Sequence, residues 1–173
     1  MAVSAGTPVR PTPDRVRETV FNWLSPVVAG SRCLDLCAGT GVLGLEALSR
    51  GAREAWFVEG DRALAEALEA QIEALAAEAT VICGRVEDVL VRAPRERFDI
   101  VFLDPPYETP LEYILRKLSG WLAPKAYVYV ERPAGGAAQT DPIERAAEGL
   151  PGATVMKRSR AGRVVYGLLL VDK

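Results

Sequence analysis

Short apolar runs alternate with amphipathic stretches along most of the chain. Apolar runs bounded by turn residues predict buried strands, whereas apolar residues three and four positions apart predict helices. The alternation of the two patterns predicts a mostly parallel sheet with helices on both faces. The five predicted strands of that sheet are residues 32–37, 54–59, 80–84, 98–103 and 126–131.

Helical spacing or composition marks the segments between these strands. The first helix is expected from Thr12, because threonine caps helices and Pro13 suits the first helical position. The clearest helix is residues 62–79, which are rich in Ala, Leu and Glu. The other predicted helices are residues 41–50, a short charged segment within 85–97, and a helix capped by Thr109 with Leu122 in its buried stripe.

The C-terminal part of the chain has a different pattern. Two β-rich stretches flank the turn residues Ser159–Gly162, which predicts an antiparallel hairpin, and residues 134–152 are expected to hold at most one short helix. The expected fold class is therefore α/β and Rossmann-like, a mostly parallel sheet with a C-terminal antiparallel hairpin. With 173 residues, the chain is expected to form a single domain over residues 1–173.

The composition excludes several kinds of chemistry. The chain contains no histidine, so imidazole cannot act as a general base, a nucleophile's partner or a metal ligand. Cys33, Cys37 and Cys83 are an odd number with two in one predicted strand, which favours reduced thiols over disulfides or a zinc site. The 21 basic and 23 acidic residues nearly balance, so net charge indicates no partner. We expect no metal.

The hydropathy pattern also bears on location. No apolar run approaches the length that crosses a bilayer. The N-terminal sequence MAVSAGTPVRPTPDR lacks the apolar core of a signal peptide. We therefore expect a cytoplasmic protein that does not bind membranes.

A glycine-rich loop follows the first predicted strand. In DLCAGTGVLG, residues 35–44, Gly39, Gly41 and Gly44 have the G-x-G-x-x-G spacing, which lets a ligand approach backbone amides at a helix N-terminus. This spacing also fits a dinucleotide site, or a tight turn with no ligand. Glu59 ends the next strand, where a carboxylate can accept hydrogen bonds from both hydroxyls of a ribose.

The charge of Asp35 favours S-adenosylmethionine over a dinucleotide as the ligand of this loop. Its negative charge would lie close to the phosphates of a dinucleotide, which is unfavourable. The ammonium and sulfonium groups of S-adenosylmethionine would instead be attracted to this carboxylate. The glycine-loop amides could then bind the carboxylate of the methionine part. We expect S-adenosylmethionine as the cofactor.

A second specialised loop ends the fourth predicted strand, in the sequence FDIVFLDPPY. Asp104 can accept an N–H, and Pro105 and Pro106 have no backbone N–H, so their carbonyls add acceptors without a competing donor. An exocyclic amine on a planar base needs such acceptors. Tyr107 supplies a face on which a base can stack, a contact worth roughly 1–3 kcal/mol.

These two loops together resemble a known family. RPTPDRVRETVFNWL (10–24), CLDLCAGTGVLGLEALSRGA (33–52) and FDIVFLDPPY resemble the RsmD family of bacterial 16S rRNA (guanine-N2)-methyltransferases. That family belongs to the class I S-adenosylmethionine-dependent methyltransferases. The resemblance implies the class I methyltransferase fold and methyl transfer to N2 of a guanine in small-subunit ribosomal RNA. Residues 1–30 would form a helical segment on the substrate side.

The resemblance also implies roles for individual residues. Asp104, Pro105, Pro106 and Tyr107 would be catalytic. The implied cofactor-binding residues are Asp35, Ala38, Gly39, Thr40 and Gly41 at the methionine part, Glu59 and Gly60 at the ribose, Glu87 and Asp88 at the adenine, and Thr12 and Arg17 near the methionine carboxylate.

Basic residues at both ends of the chain are candidates for RNA contacts. Local clusters of arginine can bind phosphates even when the net charge is −2. We expect a monomer that acts on ribosomal RNA, free or in an assembled small-subunit particle. The candidate substrate-binding residues are Arg10, Arg15 and Arg17 near the start and Lys157, Arg158, Arg160 and Arg163 in the hairpin.

Three alternatives stay open. A DNA methyltransferase acting on an adenine or cytosine amine would use the same acceptors, but it generally needs a target-recognition insertion. A protein glutamine methyltransferase would also fit, because an amide NH₂ suits the Asp104–Tyr107 loop. An NAD-dependent oxidoreductase would use Gly39–Gly44 and Glu59 and leave the Asp104–Tyr107 loop unexplained.

Overall fold

A computed structural model describes residues 13–135 and 140–173 of the chain. Its elements follow the predicted alternation of strands and helices. The strands are β1 (Arg32–Leu36), β2 (Glu54–Glu59), β3 (Ala79–Cys83), β4 (Phe98–Leu103), β5 (Leu122–Pro133), β6 (Ala153–Ala161) and β7 (Val164–Asp172). The helices are α1 (Asp14–Leu24), α2 (Val42–Ser49), α3 (Arg62–Leu75), α4 (Val86–Val89), α5 (Leu111–Leu118) and α6 (Pro142–Gly149), with a 3₁₀ turn at Ser119–Trp121.

The strands form one sheet in the order β3-β2-β1-β4-β5-β7-β6. The first five strands are parallel, and β7 is antiparallel to both β5 and β6. The fold class predicted from the sequence is thereby confirmed. The strand order reverses between the central neighbours β1 and β4, and ligands of such sheets bind at the carboxyl ends of the strands beside that reversal.

Helices cover both faces of the sheet and bury two apolar clusters. On one face Val20 of α1, Leu43 of α2 and Leu68 of α3 pack with Phe57 and Phe102 of the sheet. Burial of apolar area on this scale is the main stabilising contribution to such a fold. The cluster on the other face includes Val86 of α4, Ile114, Leu115 and Leu118 of α5, and Ile143 and Ala146 of α6.

The longest predicted helix ends four residues early. α3 begins as expected after Asp61, whose carboxylate accepts the Leu64 N–H (3.1 Å), but it ends at Leu75 and not at residue 79. Ala76 takes a left-handed conformation (φ 48°), and Ala79 then pairs with Ala55 as the first residue of β3. Sheet pairing therefore overrides the helical preference of the alanine-rich sequence, which contains no glycine or proline at this point.

Two further predictions need correction. The hairpin turn is not Ser159–Gly162, because Ser159 pairs with Tyr166 within β6 and β7, and the loop is Gly162 and Arg163 alone. A two-residue loop needs a positive φ, and Gly162 supplies it (59°). Leu122 lies at the start of β5, paired with Phe98, and not in a helix.

Helix starts also differ from the prediction. α5 is capped at Pro110, while the Thr109 N–H donates to the Pro106 carbonyl (2.9 Å) in the turn after β4. α1 is capped at Pro13, and the predicted cap Thr12 lies outside the described residues. The predicted helix within 85–97 is the single turn Val86–Val89. None of the helices in the described ranges is long and apolar enough to span a membrane.

Candidate functional site

A cleft of about 730 Å³ opens at the carboxyl ends of β1, β2, β4 and β5, beside the reversal of strand order. Val42, Leu43, Leu64 and Ile114 contribute apolar surface to its walls. The cleft therefore lies where the topology predicts a ligand site. Most of the residues predicted from the sequence line it, namely Asp35, Ala38, Gly39, Thr40, Glu59, Gly60, Glu87, Asp104, Pro105, Pro106 and Tyr107.

The glycine loop turns sharply out of β1. Cys37, Gly39 and Gly41 all have positive φ (65°, 57° and 74°), a conformation that glycine adopts at little cost. Gly41 is buried and precedes α2. A Cβ atom at Gly41 would lie 2.5 Å from Cδ1 of the buried Leu68, so the position requires glycine for packing as well as for conformation.

Asp35 is a buried carboxylate beneath this loop. Its Oδ2 accepts the backbone N–H of Gly44 at 3.0 Å, which fixes the start of α2 relative to β1. Burial, together with the nearby Asp104 and Glu59 carboxylates, holds the pKa of Asp35 well above its ordinary value, although the Gly44 hydrogen bond opposes this shift. A cationic ligand group in the cleft would relieve that electrostatic cost.

Glu59 connects the glycine loop to the turn after β2. Its Oε2 accepts the Gly39 N–H (2.6 Å), and its Oε1 accepts the Asp61 N–H (2.8 Å). Each carboxylate oxygen has two lone pairs, so Glu59 retains the capacity to accept hydroxyl donors from a ligand. The side chain is thus held in one place by backbone donors.

The corner after β4 contains the predicted catalytic residues. Asp104 and the buried Pro105 follow Leu103, while Tyr107 is 37% exposed at the cleft mouth. Burial raises the pKa of Asp104 to about 7, and the Glu131 carboxylate adds to this shift while Arg132 opposes it. The Tyr107 carbonyl accepts a hydrogen bond from Nη2 of Arg132 (2.8 Å), which ties the corner to β5.

Glu131 is a cleft residue that the sequence prediction missed. It is 5% exposed, lines the cleft near Asp104, and accepts a hydrogen bond from the Tyr129 hydroxyl (2.8 Å). The sequence does carry a signal for it, because an acidic residue ends the predicted strand 126–131 as Glu59 ends the strand 54–59. The next residue, Arg132, was also not predicted; it binds the Tyr107 carbonyl and is not part of the cleft lining. Its Nη1 is buried without a hydrogen-bond partner among the described residues.

Some predicted residues lie away from the cleft. Asp88 is exposed on α4 and is not part of the cleft lining, and Gly41 lies behind the lining. Arg17 forms an ion pair with Asp14 (2.9 Å) and lies 3.9 Å from Glu46, outside the lining. These assignments stay predictions. Arg10 and Thr12 fall outside the described residues.

The predicted phosphate-binding arginines have different surroundings. Arg15 is exposed on α1, and Arg158 is paired with Asp141 (3.0 Å). Arg160 donates from Nε to the Gly162 carbonyl (2.8 Å) and lines a second cavity of about 370 Å³. The other residues that line this cavity are Tyr107, Pro133, Ala134, Gly135 and Arg163.

Comparison with known proteins decides the family. The chain matches the family described as Conserved hypothetical protein 95 over residues 1–166. It is 40% identical over 165 residues to Ribosomal RNA small subunit methyltransferase D of Escherichia coli K12, covering 92% of this chain and 78% of that protein. The chain belongs to this family. The resemblance predicted from the sequence motifs is confirmed.

Two further relatives agree with this assignment. The Haemophilus influenzae protein named Ribosomal RNA small subunit methyltransferase D is 44% identical over 130 residues, 71% of this chain and 67% of the relative. The solved structure of the yhhF protein from Escherichia coli superposes with a TM-score of 0.83 at 38% identity, covering 95% of this chain and 89% of that chain. The fold is therefore that of the class I methyltransferases. In the described part of the chain, no cluster of three or more Cys, Asp or Glu side chains is placed to hold a metal ion.

Proposed function

We propose that this protein transfers a methyl group from S-adenosylmethionine to the exocyclic N2 amine of a guanine in small-subunit (16S) ribosomal RNA. One observation carries the proposal. The corner after β4, with Asp104 and Pro105, opens into the same cleft as Glu59 and the glycine loop after β1. A methyl donor and an aromatic amine could therefore meet in one enclosed site, as a transfer between them requires.

The methyl donor is S-adenosylmethionine, and the charge and donor pattern of the cleft fit it. The Asp35 carboxylate lies beneath the glycine loop, where a dinucleotide would place phosphates but this cofactor places cations. Glu59 would accept hydrogen bonds from the ribose hydroxyls, and Glu87, which also lines the cleft, would contact the adenine. When bound, the cofactor supplies an electrophilic methyl group on a sulfonium.

The chain's own residues activate the amine. The N2 lone pair of guanine is conjugated with the ring, which makes the nitrogen a weak nucleophile. The Asp104 carboxylate and the Pro105 carbonyl accept the two amine hydrogens and favour a pyramidal nitrogen, while Tyr107 stacks on the flipped base. Once the nitrogen carries the methyl group it becomes acidic, and Asp104 takes the proton.

The substrate is inferred from the family and from the surroundings of the cleft mouth. The curated relatives are named as ribosomal RNA small subunit methyltransferases. Arg160 and Arg163 line the second cavity together with Tyr107, so two guanidinium groups lie beside the residue on which the base would stack. Positive groups at this place suit the phosphates that flank a flipped nucleotide. The protein acts as a cytoplasmic monomer.

Two measurements test the proposal. Calorimetry should detect binding of S-adenosylhomocysteine and not of NADH, and the reverse result would favour an oxidoreductase. Methyl transfer to ribosomal RNA, naked or in small-subunit particles from a strain that lacks the activity, should yield N2-methylguanosine on nucleoside analysis. N6-methyladenosine as the product would overturn the guanine assignment.

A further inference from the structure

The carboxylates of Asp104 and Glu131 are neighbours at the carboxyl ends of adjacent strands. β4 and β5 are parallel, and Leu103, the last residue of β4, is in register with Val130, so Asp104 directly after β4 lies beside Glu131 of β5. The Glu131 carboxylate is close enough to contribute to the raised pKa of Asp104. Both residues also line the main cleft, so two acidic side chains lie side by side on its substrate half.

Tyr129 fixes the position of Glu131. The Tyr129 ring is fully buried, in contact with the rings of Phe102 (6.4 Å between centroids) and Tyr166 (6.3 Å). Its hydroxyl donates to Oε2 of Glu131 at 2.8 Å. A carboxylate has about four lone-pair positions, so one that already has partners can still accept a hydrogen from a ligand.

Two neighbouring carboxylates in a buried cleft favour a ligand with two neighbouring donors. Burial and then the charge of Glu131 oppose ionisation of Asp104, which is the reason that the pKa of Asp104 rises to about 7. Guanine presents N1–H beside N2–H₂ on its Watson–Crick edge. Adenine presents an N1 lone pair beside its amine, and that lone pair would face a carboxylate.

We propose that Glu131 is a specificity-determining residue that accepts the N1–H of the target guanine, while Asp104 accepts a hydrogen from N2 of the same base. This inference rests on the proposed function and deepens it. Glu131 keeps its hydrogen bond to Tyr129 throughout, and N1 keeps its proton. Glu131 therefore selects the base and positions its amine, and the proton of the reaction leaves from N2 to Asp104.

The test uses an RNA substrate in which the target guanosine is replaced by 2-aminopurine riboside. This base keeps the amine at C2 but has a lone pair and no hydrogen at N1; it also lacks the O6 carbonyl, and the Glu131 variant below separates the two differences. Wild-type enzyme should methylate the guanosine substrate at least about 100-fold faster in kcat/KM than the 2-aminopurine substrate. Comparable rates on the two substrates would overturn the inference without any variant.

The variant Glu131→Gln reverses the donor pattern. With the Tyr129 hydroxyl on the amide oxygen, the amide N–H₂ points toward N1 of the base. Glu131→Gln should lower kcat/KM on the guanosine substrate by about 10- to 100-fold and raise kcat/KM on the 2-aminopurine substrate. The preference for guanosine should therefore decrease. Equal losses on both substrates would show that Glu131 has only a structural role and would overturn the inference.

A control and a separate outcome complete the design. Glu112→Gln changes an exposed carboxylate on α5, 3.6 Å from Arg145 and outside the cleft lining, and it should keep the wild-type rates on both substrates. If wild-type enzyme forms no N2-methylguanosine at all, the proposed function fails. If it forms that product and also accepts 2-aminopurine equally well, only the role of Glu131 fails.

Discussion

The two halves of the cleft use carboxylates in opposite ways. On the half formed by β1 and β2, backbone N–H groups bind the acidic side chains: Gly44 donates to Asp35, and Gly39 and Asp61 donate to Glu59. On the half formed by β4 and β5, the Asp104 carboxylate accepts no hydrogen bond from residues 13–135 or 140–173 and lies beside a second acid.

Under the proposed function, this difference separates a preformed binding surface from a reactive one. Where backbone amides fix the carboxylates, a cofactor meets acceptors that are already in place, and little ordering is required on binding. Where two buried carboxylates repel each other, the folded protein carries an electrostatic cost that a donor-rich base can relieve. We therefore expect mutations in the first half to affect folding and cofactor affinity, and mutations in the second half to affect turnover.

The largest expected effect is that of Asp104→Ala. Loss of the acceptor should lower single-turnover methyl transfer by about 100- to 1000-fold, because the amine is no longer polarised and its proton has no acceptor. The Kd for S-adenosylhomocysteine, measured by calorimetry, should stay within about threefold of wild type because Glu59 and the glycine loop are untouched. An equal loss of turnover and cofactor affinity would contradict the division between the two halves.

A glycine replacement tests the cofactor half. Gly41→Ala forces a positive φ (74°) on alanine and places Cβ 2.5 Å from Leu68, so the unfolding free energy in urea should fall by about 3 kcal/mol. Binding of S-adenosylhomocysteine should weaken by more than about tenfold, since the loop must shift. Gly30→Ala is the matched control, with φ 75° but no atom within 4 Å of the added Cβ, and it should cost only about 1 kcal/mol and leave binding unchanged.

Sequence patterns predict well which residues line the β1 and β2 half of the cleft, because the determinants of that lining are local. Three features lie within residues 32–59: the glycine spacing, the short strand before it and the acid that ends the next strand. Each follows from local backbone geometry. The Asp104–Tyr107 loop is equally local. Pattern alone therefore identifies the carboxyl edge of the sheet and both of its specialised loops.

The missed residues depend on contacts that are distant in sequence. Glu131 becomes a cleft residue only because β5 pairs with β4, and its hydrogen bond to Tyr129 needs the packing of Phe102 and Tyr166 around that ring. The end of α3 at Leu75 has a similar cause, since pairing of β3 with β2 stops the helix. Strand pairing is a tertiary property that periodicity does not specify.

The pH dependence of Tm should distinguish the two halves of the cleft. Asp104 has a folded-state pKa of about 7 against an ordinary value of 3.8, so its contribution to stability is present below pH 3.8 and is lost as the pH rises through 7. Asp104→Asn removes the charge, and Tm should therefore rise by about 3 °C at pH 8 and by less at pH 5. An identical change in Tm at the two pH values would contradict the electrostatic cost assigned to this half.

Glu59→Gln is the counterpart on the cofactor half. A glutamine side chain has only one oxygen, so one of the N–H groups of Gly39 and Asp61 would face an amide N–H₂. We expect a loss of about 1–2 kcal/mol in unfolding free energy, measured in urea at neutral pH. A stabilising effect like that of Asp104→Asn would show that the two halves do not differ.

The smallest expected effect concerns the hairpin and compares two arginines on β6. Arg160 lines the cavity next to Tyr107, whereas Arg158 is held by Asp141 at 3.0 Å, so only Arg160 is directed toward the proposed phosphate position. Arg160→Ala should weaken RNA binding by about 3- to 10-fold and reduce the slope of log affinity against log salt by about one. Arg158→Ala should change both quantities less. In the wild type Arg158 must break its ion pair with Asp141 to contact a phosphate, and this cost reduces the net gain from the contact. Both variants should bind S-adenosylhomocysteine as wild type does, and a larger effect for Arg158 would place the RNA path nearer Asp141 than the second cavity.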